Sequence, residues 1–149
     1  MSGPTPSWAR PQGCRFAGSL GTQVVKVFDL VAARTGLRDQ EAIAHGLRPY
    51  THATTADDHK RYYPGAQPIH LRITGEHGTG RLLGAQLIGH RDTAVAKRVD
   101  IYATALHHHA NVDEVEDLDL SYAPPLGSPY DAVQIATHQW ALAAAGHRP

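Results

Sequence analysis

The sequence predicts an α+β fold, an antiparallel sheet of roughly three to five strands with helices layered on one face. Three observations lead there. Residues 69–89 hold two strand-like runs on either side of a glycine-rich stretch, the pattern of an antiparallel hairpin. From residue 93 the apolar period lengthens to that of an amphipathic helix. Strand-like segments come mostly first and helix-like segments last, which suits a sheet with a helical layer better than alternating βαβ units.

The elements follow in order. Residues 1–18 read as a flexible tail, because Pro4, Pro6 and Pro11 with Gly3 and Gly13 discourage regular structure. Residues 19–146 read as the folded domain and 147–149 as a second tail. Gln23 to Arg34 is expected as one strand, since Val24, Val25, Val27, Phe28 and Val31 favour extended backbone. Arg38 to His45 suits a short helix, with Asp39 in the first turn and Gly46 as its stop. Threonine-rich Tyr50 to Thr55 suits a strand, and Tyr62-Tyr63-Pro64-Gly65 a loop. Ile69 to Thr74 alternates apolar and polar residues as a half-buried strand, Gly75 to Gly80 turns the chain, and Arg81 to Gly89 returns.

Thr93 to Ala110 carries Val95, Val99, Tyr102 and Leu106 at helical spacing. Asp113 to Leu118 is a shorter helical stretch, and Tyr122-Ala123-Pro124-Pro125 cannot continue it. Ser128 is expected to cap the last helix with Pro129 at its first position, the helix running to about Ala145 and ending at Gly146.

With 149 residues, the chain suits one domain with its own core. Apolar residues at 42% against 19% charged argue for a globular chain. Lys plus Arg number 14 and Asp plus Glu 14, so the net charge is zero. Nucleic acid and anionic membrane both need concentrated positive charge and are not expected partners. The same balance weakens repulsion between copies and favours self-association. A single cysteine, Cys14, allows no internal disulfide and fits a reducing compartment. No secretory signal or membrane-length apolar run is evident, so the expected location is cytoplasmic.

Several residues invite chemistry. His107-His108-His109, among 11 histidines, suggests a metal, but consecutive helical residues point about 100° apart and poorly share one ion. A histidine-rich metal binder therefore stays open as a minor reading. Gly78-Thr79-Gly80-Arg81-Leu82-Leu83-Gly84 resembles a phosphate loop only superficially, because it opens a strand and not a helix. Asp113, Glu114, Glu116, Asp117 and Asp119 fit a solvated helix start better than a catalytic carboxylate pair. Cys14 has only Arg15 beside it to lower its pKa, so it reads as a tail thiol.

A series of motifs adds a resemblance. Gly18-Ser19-Leu20-Gly21-Thr22, Val25-Lys26-Val27-Phe28-Asp29 and Ala33-Arg34-Thr35-Gly36-Leu37 come first. Asp58-His59, Tyr62-Tyr63-Pro64-Gly65-Ala66, Gly80-Arg81-Leu82-Leu83-Gly84-Ala85-Gln86 and Lys97-Arg98-Val99-Asp100 follow. Asp117-Leu118-Asp119-Leu120 and Tyr122-Ala123-Pro124-Pro125 close the series. In order and spacing, from about Arg15 to Ala136, it resembles the C-terminal dimerisation domain of pyridine nucleotide-disulfide oxidoreductases, most of all coenzyme A disulfide reductases and NADH oxidases.

The resemblance implies the FAD/NAD-linked reductase dimerisation-domain fold, in a flavoprotein family that uses FAD and NAD(P)H. No counterpart of either cofactor domain is present here, so no cofactor is expected in this chain and no autonomous oxidoreductase activity. It implies that Tyr63 (or its neighbour Tyr62) and Tyr122 reach into a partner's active site, where a neutral phenol can donate a hydrogen bond to sulfur; interfacial packing is the alternative role. Three functions stay open. One is a stand-alone dimerisation domain, a two-fold homodimer using apolar residues of the Thr93 helix and of the last helix (Val133, Trp140, Ala144). Another is a subunit of a split reductase, completed by a separate flavin-binding chain. The third is the metal binder.

Overall fold

In a computed structural model that describes residues 18–147, alternation along the chain decides which side of the sheet becomes core. Strand β4 (Pro68–Glu76) turns Ile69, Leu71 and Ile73 inward and His70 and Arg72 outward. It pairs antiparallel with β5 (Leu82–His90), placing Leu71 opposite Leu87 and Ile73 opposite Ala85. Strand β3 (Pro49–Asp57) adds to the other edge of β4. The expected turn is shorter than Gly75 to Gly80, because Gly75 still belongs to β4.

The segment expected as one strand is a hairpin of two, β1 (Gln23–Val27) and β2 (Leu30–Gly36), and β2 pairs with β5. The turn between them is Phe28–Asp29, with Phe28 at a φ of 52°. That conformation is usually left to glycine in a two-residue hairpin. A turn made of a strand-forming aromatic carries no glycine, asparagine or proline to announce it, so uninterrupted β propensity hid the reversal. The full sheet has the order β1-β2-β5-β4-β3, with all pairs antiparallel.

Helix α1 (Asp39–Ala44) links β2 to β3, and Glu41 closes its start by accepting from the Arg38 amide at 2.8 Å. Helix α2 (Val95–His107) lies on β2 and β5, while α4 (Ala132–Gly146) lies on β3 and β4 and packs with α3 (Val112–Glu116). The helices share one face of the sheet, and the core fills the space between. Fully buried Tyr102 ties the two long helices together, its hydroxyl donating to the Val133 carbonyl at 2.9 Å. The Trp140 indole donates to the Tyr50 carbonyl at 2.8 Å and packs against Gly75, leaving no room for a Cβ there.

Two further expectations are corrected. Helix α4 is capped by Asp131 and not by Ser128. The Asp131 carboxylate accepts from the Val133 amide at 3.0 Å, and Gln134 accepts from the Asp131 amide at 3.1 Å. A complete capping box satisfies two end groups where a lone serine satisfies one, so the helix begins three residues later. The apolar stripes assigned to a dimer contact are instead core. Val95, Val99, Tyr102, Val133 and Trp140 are all buried within the chain, and Leu106 and Ala144 partly so. Periodicity marks a face that must be covered but does not say what covers it.

Cys14 and the expected tail up to residue 17 lie outside the described residues, as do Arg148 and Pro149. Among the described residues, no helix is long and apolar enough to cross a membrane.

Candidate functional site

Where β3 ends, the chain leaves the sheet at Asp58 and returns at Pro68, and this loop carries His59, Tyr62 and Tyr63. A second loop, from α3 to Asp131, carries Tyr122 and Tyr130. Both border an open cleft of about 910 Å³ whose remaining wall is α4, through Gln134, Ile135 and His138.

The first loop is held from beneath by buried polar groups. Arg98 of α2, 6% exposed, donates through Nη2 to the Asp58 carbonyl at 2.9 Å and to the Asp131 carboxylate at 2.8 Å. Its Nε donates to Asp131 Oδ1 at 3.0 Å and its Nη1 to the Thr93 carbonyl. One guanidinium thus joins the start of the tyrosine loop to the cap of α4. A planar five-donor fork suits that task better than lysine.

The Asp58 carboxylate accepts from the Gln67 amide at 2.7 Å, clamping the loop's two ends together. Its other oxygen lies 2.9 Å from His59 Nδ1, and His59 Nε2 lies 3.2 Å from the Pro64 carbonyl. The hydrogen bond to Asp58 holds the His59 ring above the usual histidine pKa, outweighing burial.

The two loops carry the expected tyrosines. The Tyr62 phenol is held above its ordinary pKa first by hydrogen bonding with Tyr122 and then by burial. Tyr63 stands beside Tyr62, ring centroids 5.3 Å apart. All three are exposed, Tyr62 at 70%. Paired phenols on solvent-facing loops can offer hydrogen bonds to a group arriving from outside the domain.

The remaining candidates fall elsewhere. His107 and His108 end α2 with rings edge to face, centroids 5.1 Å apart, and His109 follows at a φ of 56°. Among the described residues, no three His, Cys, Asp or Glu side chains gather as a metal group. Gly78 to Gly80 lie in the β4–β5 turn. Of the acidic run, Glu114 caps α3 by accepting from the Asn111 amide at 2.7 Å, and Glu116 pairs with His138. Sequence reasoning missed the roles of Arg98, His59 and Asp131. Asp131-Ala132-Val133-Gln134 is a legible capping box, and Arg98 is conspicuous as a charge one helical turn before Tyr102 on the apolar stripe.

Comparison with known proteins places this geometry. Coenzyme A disulfide reductase from Staphylococcus aureus (strain bovine RF122 / ET3-1) is 32% identical over 120 residues, covering 80% of this chain and 26% of that protein. The chain thus spans about a quarter of the length of this curated relative. The NAD-dependent persulfide reductase from A. fulgidus superposes with a TM-score of 0.83 at 36% identity, over 88% of this chain and 24% of that one. The water-forming NADH oxidase from Lactobacillus brevis shares the fold alone, with a TM-score of 0.81 at 17% identity over 87% of this chain and 28% of that one. The model of the pyridine nucleotide-disulphide oxidoreductase dimerisation domain matches residues 22–132. A match over that much of the chain, on the same five-stranded sheet and helical layer, establishes that this chain belongs to the pyridine nucleotide-disulphide oxidoreductase dimerisation domain family.

Proposed function

We propose that this chain acts as an interface domain that pairs with a second copy of itself in a two-fold homodimer. The observation that carries the reading is the apolar surface left uncovered on the β1–β2 hairpin. Val25, Val27 and Leu30 share the face opposite the helices with Ile88 of β5, and all are exposed. Phe28 at the tip is 89% exposed on strained backbone. An isologous pair would cover this patch with its own copy, and about 800 Å² per subunit is enough for stable pairing.

The test is light scattering coupled to size exclusion over a wide concentration range. A dimer mass is expected, and a monomer mass throughout overturns the proposal. If each copy buries one Phe28, Phe28→Asp removes on the order of 3 kcal/mol and weakens pairing roughly a hundredfold. A reducing, cytoplasmic setting suits a chain with one cysteine.

A second reading is supported by the exposed tyrosines of the two loops. In it, the chain lends Tyr122 and either Tyr62 or Tyr63 to a flavin-bearing chain of a split disulfide reductase or NADH oxidase. FAD and NAD(P)H would belong to that partner. The described residues of this chain do not fit a dinucleotide, because their strands pair only antiparallel and a dinucleotide crevice needs parallel βαβ units with a glycine-rich turn. Co-elution of this chain with flavin absorbance from native lysate supports this reading, and elution free of flavin argues for the first.

A further inference from the structure

We propose that His59, set between the Asp58 carboxylate and the Pro64 carbonyl, is the positioning residue that closes the turn carrying Tyr62 and Tyr63 and loosens it on losing a proton. The inference deepens the reading of the tyrosine pair as a site and rests on it.

Both partners of the ring are acceptors. A carboxylate oxygen lies 2.9 Å from Nδ1 and a backbone carbonyl 3.2 Å from Nε2, so donating to both requires a hydrogen on each nitrogen. Either neutral tautomer sets a lone pair against one of these oxygens, in a residue only 8% exposed. Tyr62 and Tyr63 sit between the two anchor points, His59 and Pro64, so the ring spans the base of the turn that aims them.

Surrounding charges leave Asp58 as the dominant influence. On its own segment Arg61 is paired with Asp57, and Lys60 opposes a second positive charge. From α2 Arg98 also opposes it, but the Asp131 carboxylate at the start of α4 neutralises that guanidinium. Across the cleft Glu116 is engaged by His138. The folded ring titrates above its usual 6.5, so the closed arrangement is complete below that pH and is lost as pH rises through the higher folded value.

The experiment is a pH titration of the full chain with ¹⁵N-labelled histidine and ring-labelled tyrosine, with Tyr62 assigned through Tyr62→Phe. The expected result is a doubly protonated His59 with a midpoint above 6.5, and a Tyr62 signal that moves with the same midpoint while core Tyr102 stays still. A His59 midpoint at or below 6.5, or a Tyr62 signal that stays flat through its titration, overturns the proposal. His59→Gln is expected to abolish the pH-dependent movement of Tyr62 and keep the Tyr102 signal; where that variant does not fold, the unmodified chain still decides. The readout is independent of mass and of activity, so a failed latch and a failed functional reading are distinguishable.

Discussion

Replacing Asp131 by serine isolates the contribution of the ion pair beneath the tyrosine loop. Serine retains a hydroxyl that can cap the Val133 amide, so the cap contribution, about 1 kcal/mol, is largely preserved. What is lost is the partner of Arg98, whose side chain is 7% exposed against 15% for Asp131. Arg98 keeps its bonds to the Asp58 and Thr93 carbonyls, so its charge stays buried without a counterion. Breaking a buried pair from one side costs about 3–5 kcal/mol, a large share of a typical 5–15 kcal/mol domain stability. For a chain of this size that corresponds to a fall in Tm of roughly 6–20 °C.

The assay is urea unfolding followed by far-UV circular dichroism, at one fixed protein concentration because self-association would add its own stabilisation. The double variant Arg98→Met with Asp131→Ser is expected to lose less than the two single losses combined, by about 2 kcal/mol or more. It should not regain full stability, because two buried carbonyls then lose their donor. A loss below about 1 kcal/mol for Asp131→Ser, the range of exposed pairs, would refute the reasoning.

Gly75→Ala should destabilise the domain by about 1–3 kcal/mol, read as a lower urea midpoint. The new Cβ would lie 2.8 Å from Trp140 Cε2 and closer still to Cζ2, while the indole is tethered to Tyr50 and cannot move freely. Glu41 provides a pH signature. Hydrogen bonding to the Arg38 side chain, then to its amide, lowers the Glu41 carboxyl from 4.5 to about 2. Its stabilisation is therefore present above pH 4.5 and lost as pH falls through about 2. Urea midpoints of the unmodified chain and of Glu41→Gln should differ at neutral pH and converge towards the acid limit; a constant difference would contradict this.

Alternation and period are local properties, and so the sequence alone determined the strands around Ile69 and Leu87, the helix from Val95 to Tyr102 and the glycine-rich turn between β4 and β5. The ordered motifs likewise determined the family, since residues 22–132 carry the match. The hairpin turn at Phe28 was illegible because its residue type contradicts its conformation. The start of α4 depended on comparing Ser128 with a capping box at Asp131, and Asp131 is also fixed by an arginine 33 residues away.

Only the tertiary structure decided which apolar faces remain uncovered. The stripes of α2 and α4 vanish against the sheet, while the β1–β2 hairpin at its edge keeps Val25, Val27, Phe28 and Leu30 in solvent. It also set the rings of Tyr62 and Tyr63 side by side on one exposed turn. It further revealed His59 as a clasp with an acceptor at each ring nitrogen. Burial and hydrogen-bond partnership depend on residues distant in the chain, and local pattern carries no record of which distant surface arrives.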